Sequence, residues 1–243
     1  MSSPTSHQYR PAEVPIERVF SAFLMDESDR LGDRTFKRYH DVVASFAWYL
    51  NRQGGSALEP AALDFLSAAG DDPRPDRLRF VDLFGPEWIL PLYEPFFGEF
   101  LPCRDEVSRT GLISIATVLR RLATWLHRKG FARAEESRAA SARALAAKRD
   151  LPLAREIRDW LWANSAAAPL HLEVLEGEFE FSHLEHRLMW LETEERGTFG
   201  PLLVLPIAAM SCPFGWSFTG RLGRVPAGWE LLEIEAVLPQ GPA

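Results

Sequence analysis

The hydrophobic period of this 243-residue chain changes once, around N-S-A-A-A-P at residues 164–169. Ahead of that point apolar residues recur at steps of three and four, as in Phe36, Tyr39, Val43, Phe46 and Leu50, or Leu112, Ile115, Leu119, Leu122 and Leu126. That spacing gives one apolar helix face. Beyond it, apolar and polar residues alternate, which gives strands with one buried face. A chain with this break folds as α+β in two domains. The expectation is a helical bundle followed by a small five-stranded antiparallel β-barrel.

Punctuation divides the chain further. Residues 1–14 read as a disordered leader, 15–132 as the helical domain, 133–165 as a helical connector and 166–243 as the barrel. A first helix starts after Pro15. Asp33 is placed to cap the second by accepting from free N–H groups, and Gly54-Gly55 to end it. A turn-rich loop, G-D-D-P-R-P-D-R, follows a short helix over Ala61–Ala68. Pro91 and Pro95 split the next apolar stretch into two short pieces. Ser108–Lys129 is the clearest helix, with Gly130 at its end. The alanine-rich residues 133–149 have strong helix propensity but little apolar face. A separate short helix is expected over Leu153–Trp162, after Pro152. The strand candidates are H-L-E-V-L-E-G-E-F-E-F, H-R-L-M-W-L-E, G-P-L-L-V-L-P, G-W-S-F-T-G-R-L-G-R and G-W-E-L-L-E-I-E-A-V-L-P.

No apolar run approaches the roughly 20 residues that span a bilayer, so no membrane association is expected. The N-terminus lacks the charged-then-apolar order of a secretion signal. The two cysteines, Cys103 and Cys212, form neither a disulfide framework nor a metal pattern, which suits the cytoplasm and reduced thiols. Net charge is -7, unfavourable for a nucleic-acid binder taken whole. It is unevenly spread: net -6 over residues 1–103, +6 over 104–160 and -7 over 161–243. A basic surface would come from the middle of the chain.

Three stretches carry a family likeness: F-S-A-F-L in the first helix, T-F-K-R-Y at 35–39, and V-L-R-R-L-A-T-W-L-H-R-K-G-F at 118–131. With them, residues 15–132 resemble the core-binding (SAM-like) domain of tyrosine recombinases and phage integrases. The resemblance implies a helical bundle that clasps one side of double-stranded DNA, mostly through its backbone. It stops short of the reaction. Strand cleavage needs a tyrosine nucleophile beside an arginine-lysine-histidine cluster in a later domain. This chain has Tyr9, Tyr39, Tyr49 and Tyr93, none after 93, and its one His-x-x-Arg is His7–Arg10 in the leader. A recombinase is excluded. The β part looks like the C-terminal module of uncharacterised bacterial proteins of the same two-part layout.

Candidate residues follow from helix geometry. Arg120, Thr124 and Arg128 stand one above another at i, i+4, i+8, with Arg121 about a quarter turn away. Long cations on one face suit phosphate binding, against the plain alternative of a solvated helix face. Arg34, Lys37 and Arg38 form a companion cluster, tempered by His40 and Asp41. The phosphate-binding set is therefore Arg120, Arg121, Arg128, Lys37 and Arg38. Trp216 and Trp229 could stack a base or peptide, although their place after turn glycines favours core packing.

Other chemistry finds little footing. His183 and His186 lack the spacing and the third ligand of a zinc site. Cys212 has no base or cation beside it in sequence. Glu173, Glu176, Glu178 and Glu180 alternate as the polar face of a strand. Phosphate-loop, dinucleotide and nucleophile-elbow motifs are absent. No cofactor and no metal are expected. The sequence points to a non-catalytic protein with weak backbone-directed DNA binding and a β-barrel that contacts another protein. The alternative is a protein-only adaptor.

Overall fold

The computed structural model describes residues 11–70, 79–163, 165, 171–186, 188–204 and 212–240. The leader residues 1–10 and most of the turn-rich loop after Gly70 fall outside that set. Among the described residues, seven α-helices and one five-stranded sheet form two compact units that interleave along the chain. A helical unit comprises 1–93 and 114–145, and a sheet unit comprises 94–113 and 146–243.

In the helical unit, α1 (Ile16–Ser28) buries Ile16, Val19, Phe20 and Phe23, the face its periodicity marks. Ala12 N–H donates to the Leu83 carbonyl at 2.8 Å, so the stretch ahead of α1 is tied down. The second helix, α2 (Asp33–Gln53), buries Val42, Val43, Phe46, Tyr49 and Leu50, while Phe36 and Tyr39 are only half-buried. Its N-cap is Gly32, with no side-chain cap, which corrects the role expected of Asp33. Asp33 is the first helical residue, where its charge favours the positive end of the helix dipole. Gly54 does not end α2 by a left-handed turn either: the chain runs on into a 3-10 turn, Gly54–Ala57. Glycine is needed there because a Cβ would lie 2.8 Å from the Phe80 ring.

After α3 (Pro60–Gly70) and α4 (Phe80–Leu83), the prolines break the chain as expected. A 3-10 turn at Pro86–Trp88, α5 (Tyr93–Pro95) and a π turn at Phe96–Phe100 replace any long helix. Next, α6 (Arg109–Arg128) buries every member of its leucine-isoleucine stripe. It ends at Gly130, φ +80°, where Gly130 N–H donates to His127 O and Phe131 N–H to Leu126 O, the double bond of a Schellman turn. Phe131 then stacks on Trp125 at 5.9 Å, and Trp125 meets Phe23 edge-on at 5.6 Å.

The connector expected at 133–149 and the helix expected at 153–162 are one element, α7 (Ala134–Trp162), 29 residues long and continuous through Pro152. Proline inside a helix removes one hydrogen bond and crowds the preceding turn. Burial offsets that cost: Leu151 just before it, and Ala154, Ile157 and Leu161 after it, are all buried. The last three belong to the core of the sheet unit.

The sheet comprises β1 (Val174–Glu185), β2 (Leu188–Thr193), β3 (Gly197–Leu202), β4 (Ser217–Val225) and β5 (Gly228–Leu238). Neighbours run β1-β2-β3-β5-β4, and β4 pairs back with β1. The expectation of an all-antiparallel arrangement is corrected at one seam. There β3 meets β5 in parallel, with Leu202 opposite Trp229. Alternation sends Phe179, Phe181, Leu191, Phe218 and Leu231 inward, and Glu176, Glu178 and Glu180 outward.

Candidate nucleic-acid interface

The helical unit contains 17 basic and 16 acidic residues, the sheet unit 10 and 18. The basic middle of the sequence is thus shared out, and the sheet unit keeps a net charge of -8. The predicted cations Arg34, Lys37, Arg38, Arg120, Arg121 and Arg128 all lie in the helical unit.

There the predicted cations separate into two kinds. Arg120 and Arg128 on α6, and Lys37 and Arg38 on α2, are exposed, as is Arg34. None of these five makes an ion pair within the described residues. Thr124, between the two arginines, turns its hydroxyl back to the Arg120 carbonyl at 3.2 Å. The rise of an α-helix places Arg120 and Arg128 about 12 Å apart along the axis. His40 lies 3.9 Å from Asp41, a loose contact beside the α2 cluster.

Arg121 behaves differently. Its Nε donates at 2.9 Å to Oε1 of Glu27, a carboxylate that is 1% exposed at the end of α1. Lys129, one turn beyond Trp125, pairs with Asp26 at 2.8 Å. The Trp125 indole N–H donates to the same Asp26 oxygen at 2.9 Å. These bonds, Lys129 first, hold the Asp26 carboxyl below its ordinary value, with the charge of Arg128 adding a smaller pull. Sequence reasoning grouped Arg121 with the free cations because the wheel sees one helix. Glu27 lies 94 residues away in sequence, and no local pattern marks it as the partner.

The surface around these cations is open. One cleft of the helical unit, about 630 Å³, is lined by Pro86, Leu90, Pro91, Phe131 and Ala140 among others. A second, about 340 Å³, lies along Phe20, Leu24, Ala44, Ala47 and Trp48. Arg120, Arg128, Lys37 and Arg38 line neither. Cations on open helix surface suit an extended charged polymer better than an enclosed small ligand.

The remaining candidates settle into structural places. Trp216 and Trp229 are 8% and 6% exposed and sit in the sheet core, where Trp229 meets Phe199 edge-on at 5.3 Å. Buried rings leave no face for a base, so the stacking role considered for them is dropped. His183 stacks flat on Trp190 at 5.7 Å, and His186 occupies the turn after β1 with φ +50°. Within the described residues no group of three or more metal-ligating side chains comes together. Cys103 and Cys212 are free thiols. Burial pushes the Cys212 thiol up to about 12, and burial with Glu235 and Asp105 raises that of Cys103. Neither is poised as a thiolate nucleophile. No described helix is long and apolar enough to cross a membrane.

No protein-family model, curated protein or solved structure matches this chain. The functional reading therefore rests on the chemistry of its own residues.

Proposed function

We propose that this protein is a non-catalytic DNA-backbone binder whose helical unit grips phosphates through Arg120, Arg128, Lys37 and Arg38. The sheet unit, a small barrel in this reading, contacts another protein. The observation that carries the proposal is the exposure of these four cations without ion pairs within the described residues, whereas Arg121 and Lys129 each bond a carboxylate. An exposed, unpaired cation gains most by displacing counterions from DNA. The likeness of residues 15–132 to recombinase core-binding domains agrees with it.

A gel-shift titration of the full chain on duplex DNA at low salt tests the proposal. Binding is expected to weaken strongly in Arg120→Glu/Arg128→Glu and in Lys37→Glu/Arg38→Glu. Absence of binding by the unaltered chain, or binding that survives both charge reversals, overturns it.

The second reading, a protein-only adaptor, draws on the sheet unit. Its outward glutamates repel DNA, and Leu172 ahead of β1 is 74% exposed. A chain that fails the gel shift but retains a protein partner through the sheet unit fits this reading.

A further inference from the structure

The end of α1 holds more positive charge than its buried acid requires. Two guanidinium groups share the Glu27 carboxylate. Arg30 Nη1 donates to both oxygens at 3.3 and 3.2 Å, and Arg121 Nε donates to Oε1 at 2.9 Å. A buried carboxylate is strongly destabilising unless paired, and one cation pairs it. Two leave a net positive cluster.

Both guanidinium groups also reach the surface, with side-chain exposures of 56% for Arg30 and 30% for Arg121. Within the described residues, Nε and Nη2 of Arg30 and both Nη groups of Arg121 make no hydrogen bond. Tyr39 of α2 joins them. Its ring stacks on Phe23 at 6.0 Å, one turn before Glu27. Burial raises the Tyr39 phenol and Glu27 raises it further, while Arg121 and Arg30 pull it down. Its hydroxyl feels all three side chains and makes no hydrogen bond of its own within the described residues.

We infer that Arg30, Arg121 and the Tyr39 hydroxyl form a clamp for one phosphodiester of the DNA backbone, with Glu27 as the positioning residue beneath it. This rests on the DNA-binding reading and adds a site to it. A guanidinium offers several N–H donors in a planar fork. Glu27 holds one nitrogen of each fork, Nη1 of Arg30 and Nε of Arg121, and leaves the remaining N–H groups for a phosphate. Surface arginines such as Arg120 have to lose rotamer freedom on binding. Asp29, at the C-cap of α1, and Asp33, the first residue of α2, are exposed and oppose a phosphate only through solvent-screened charge.

Charge alone and preorganisation predict opposite results at Glu27. Glu27→Gln removes a negative charge, so simple electrostatics calls for tighter DNA binding. A clamp that has lost its support binds more weakly. The test is fluorescence anisotropy of the full chain on a labelled duplex over a series of salt concentrations, with Arg120→Ala as reference and thermal unfolding as the folding check. Arg30→Ala and Tyr39→Phe alter half-exposed side chains and remain informative if Glu27→Gln unfolds. Arg30→Ala is expected to weaken binding roughly tenfold at low salt and to reduce the salt slope by about one. Tyr39→Phe is expected to weaken it about threefold with the slope unchanged, since no charge is lost. Glu27→Gln, where folded, is expected to weaken binding as well. If the unaltered chain binds and Arg120→Ala weakens it, while Arg30→Ala and Tyr39→Phe bind normally or Glu27→Gln binds more tightly, the clamp is overturned and the DNA reading stands. If the unaltered chain does not bind, both fall.

Discussion

Trp125 donates its indole N–H to Asp26 Oδ2 at 2.9 Å, tying the last turn of α6 to the end of α1 through the oxygen that also holds Lys129 at 2.8 Å. Trp125 reads in sequence as an apolar member of a helix, and its ring is buried between Phe23 and Phe131. The indole nitrogen adds a polar function that fixes which acid faces α6.

The Asp26 bond has a pH signature. Its folded carboxyl titrates below the ordinary 3.8, because Lys129 and then Trp125 stabilise the ionised form. The stability this gives is complete above the unfolded value and is lost as pH falls through the folded one. Asp26→Asn is therefore expected to be less stable than the unaltered chain at neutral pH, with the gap narrowing as pH falls below 3.8. Urea unfolding at neutral and acidic pH measures both.

Tyr93 makes a further cross-link onto α6. Its hydroxyl donates to the Leu119 carbonyl at 2.8 Å, and its ring meets Phe46 edge-on at 5.5 Å. Burial raises the phenol well above its ordinary value, so it remains a donor across the accessible pH range. Tyr93→Phe preserves the ring and removes only the bond, for an expected loss of about 1 kcal/mol. Chemical denaturation reads this directly.

Ile157 and Leu161 place the end of α7 in the sheet core. Ile157→Ala is expected to cost about 2–5 kcal/mol through lost burial and the cavity left behind. Hydrogen exchange should show the effect in β4 and β5 while α1 and α2 keep their protection. Normal protection in the sheet would mean that this part of α7 is the plain connector its sequence suggests.

The two thiols should separate on modification. Cys212 is buried with its thiol pushed up to about 12, and Cys103 is exposed. One equivalent of a thiol reagent is expected to react with the native chain at mildly alkaline pH, at Cys103, and two in denaturant.

The DNA reading also predicts a slope. With Arg120, Arg128, Lys37 and Arg38 each on a phosphate, the logarithm of the binding constant should fall against that of salt with a slope of about -3 to -4. Anisotropy over a salt series measures it, and each charge removed should take about one from it.

Periodicity was a good guide wherever a helix buries large side chains. The stripe of α6, the Val43, Phe46 and Leu50 part of that of α2, and the inward phenylalanines of β1 lie where the spacing puts them. It failed on α7, because Ala140, Ala144 and Ala147 are buried without being strongly apolar. Small residues mark a helix face that packs closely, which a hydrophobicity pattern under-counts. The break expected at Pro152 failed for a related reason, since local propensity knows nothing of the apolar residues buried on either side of it.

The same division runs through the candidate site. Spacing alone placed Arg120 and Arg128 on one helix face and located the change from helix to strand. Those are local properties, set by 3.6 residues per turn. Only the tertiary structure joined Glu27 to Arg121, put Trp216 and Trp229 in the core, and stacked Tyr39 on Phe23. These relationships link residues distant in sequence, and each depends on which groups lose their water when the helices and strands pack.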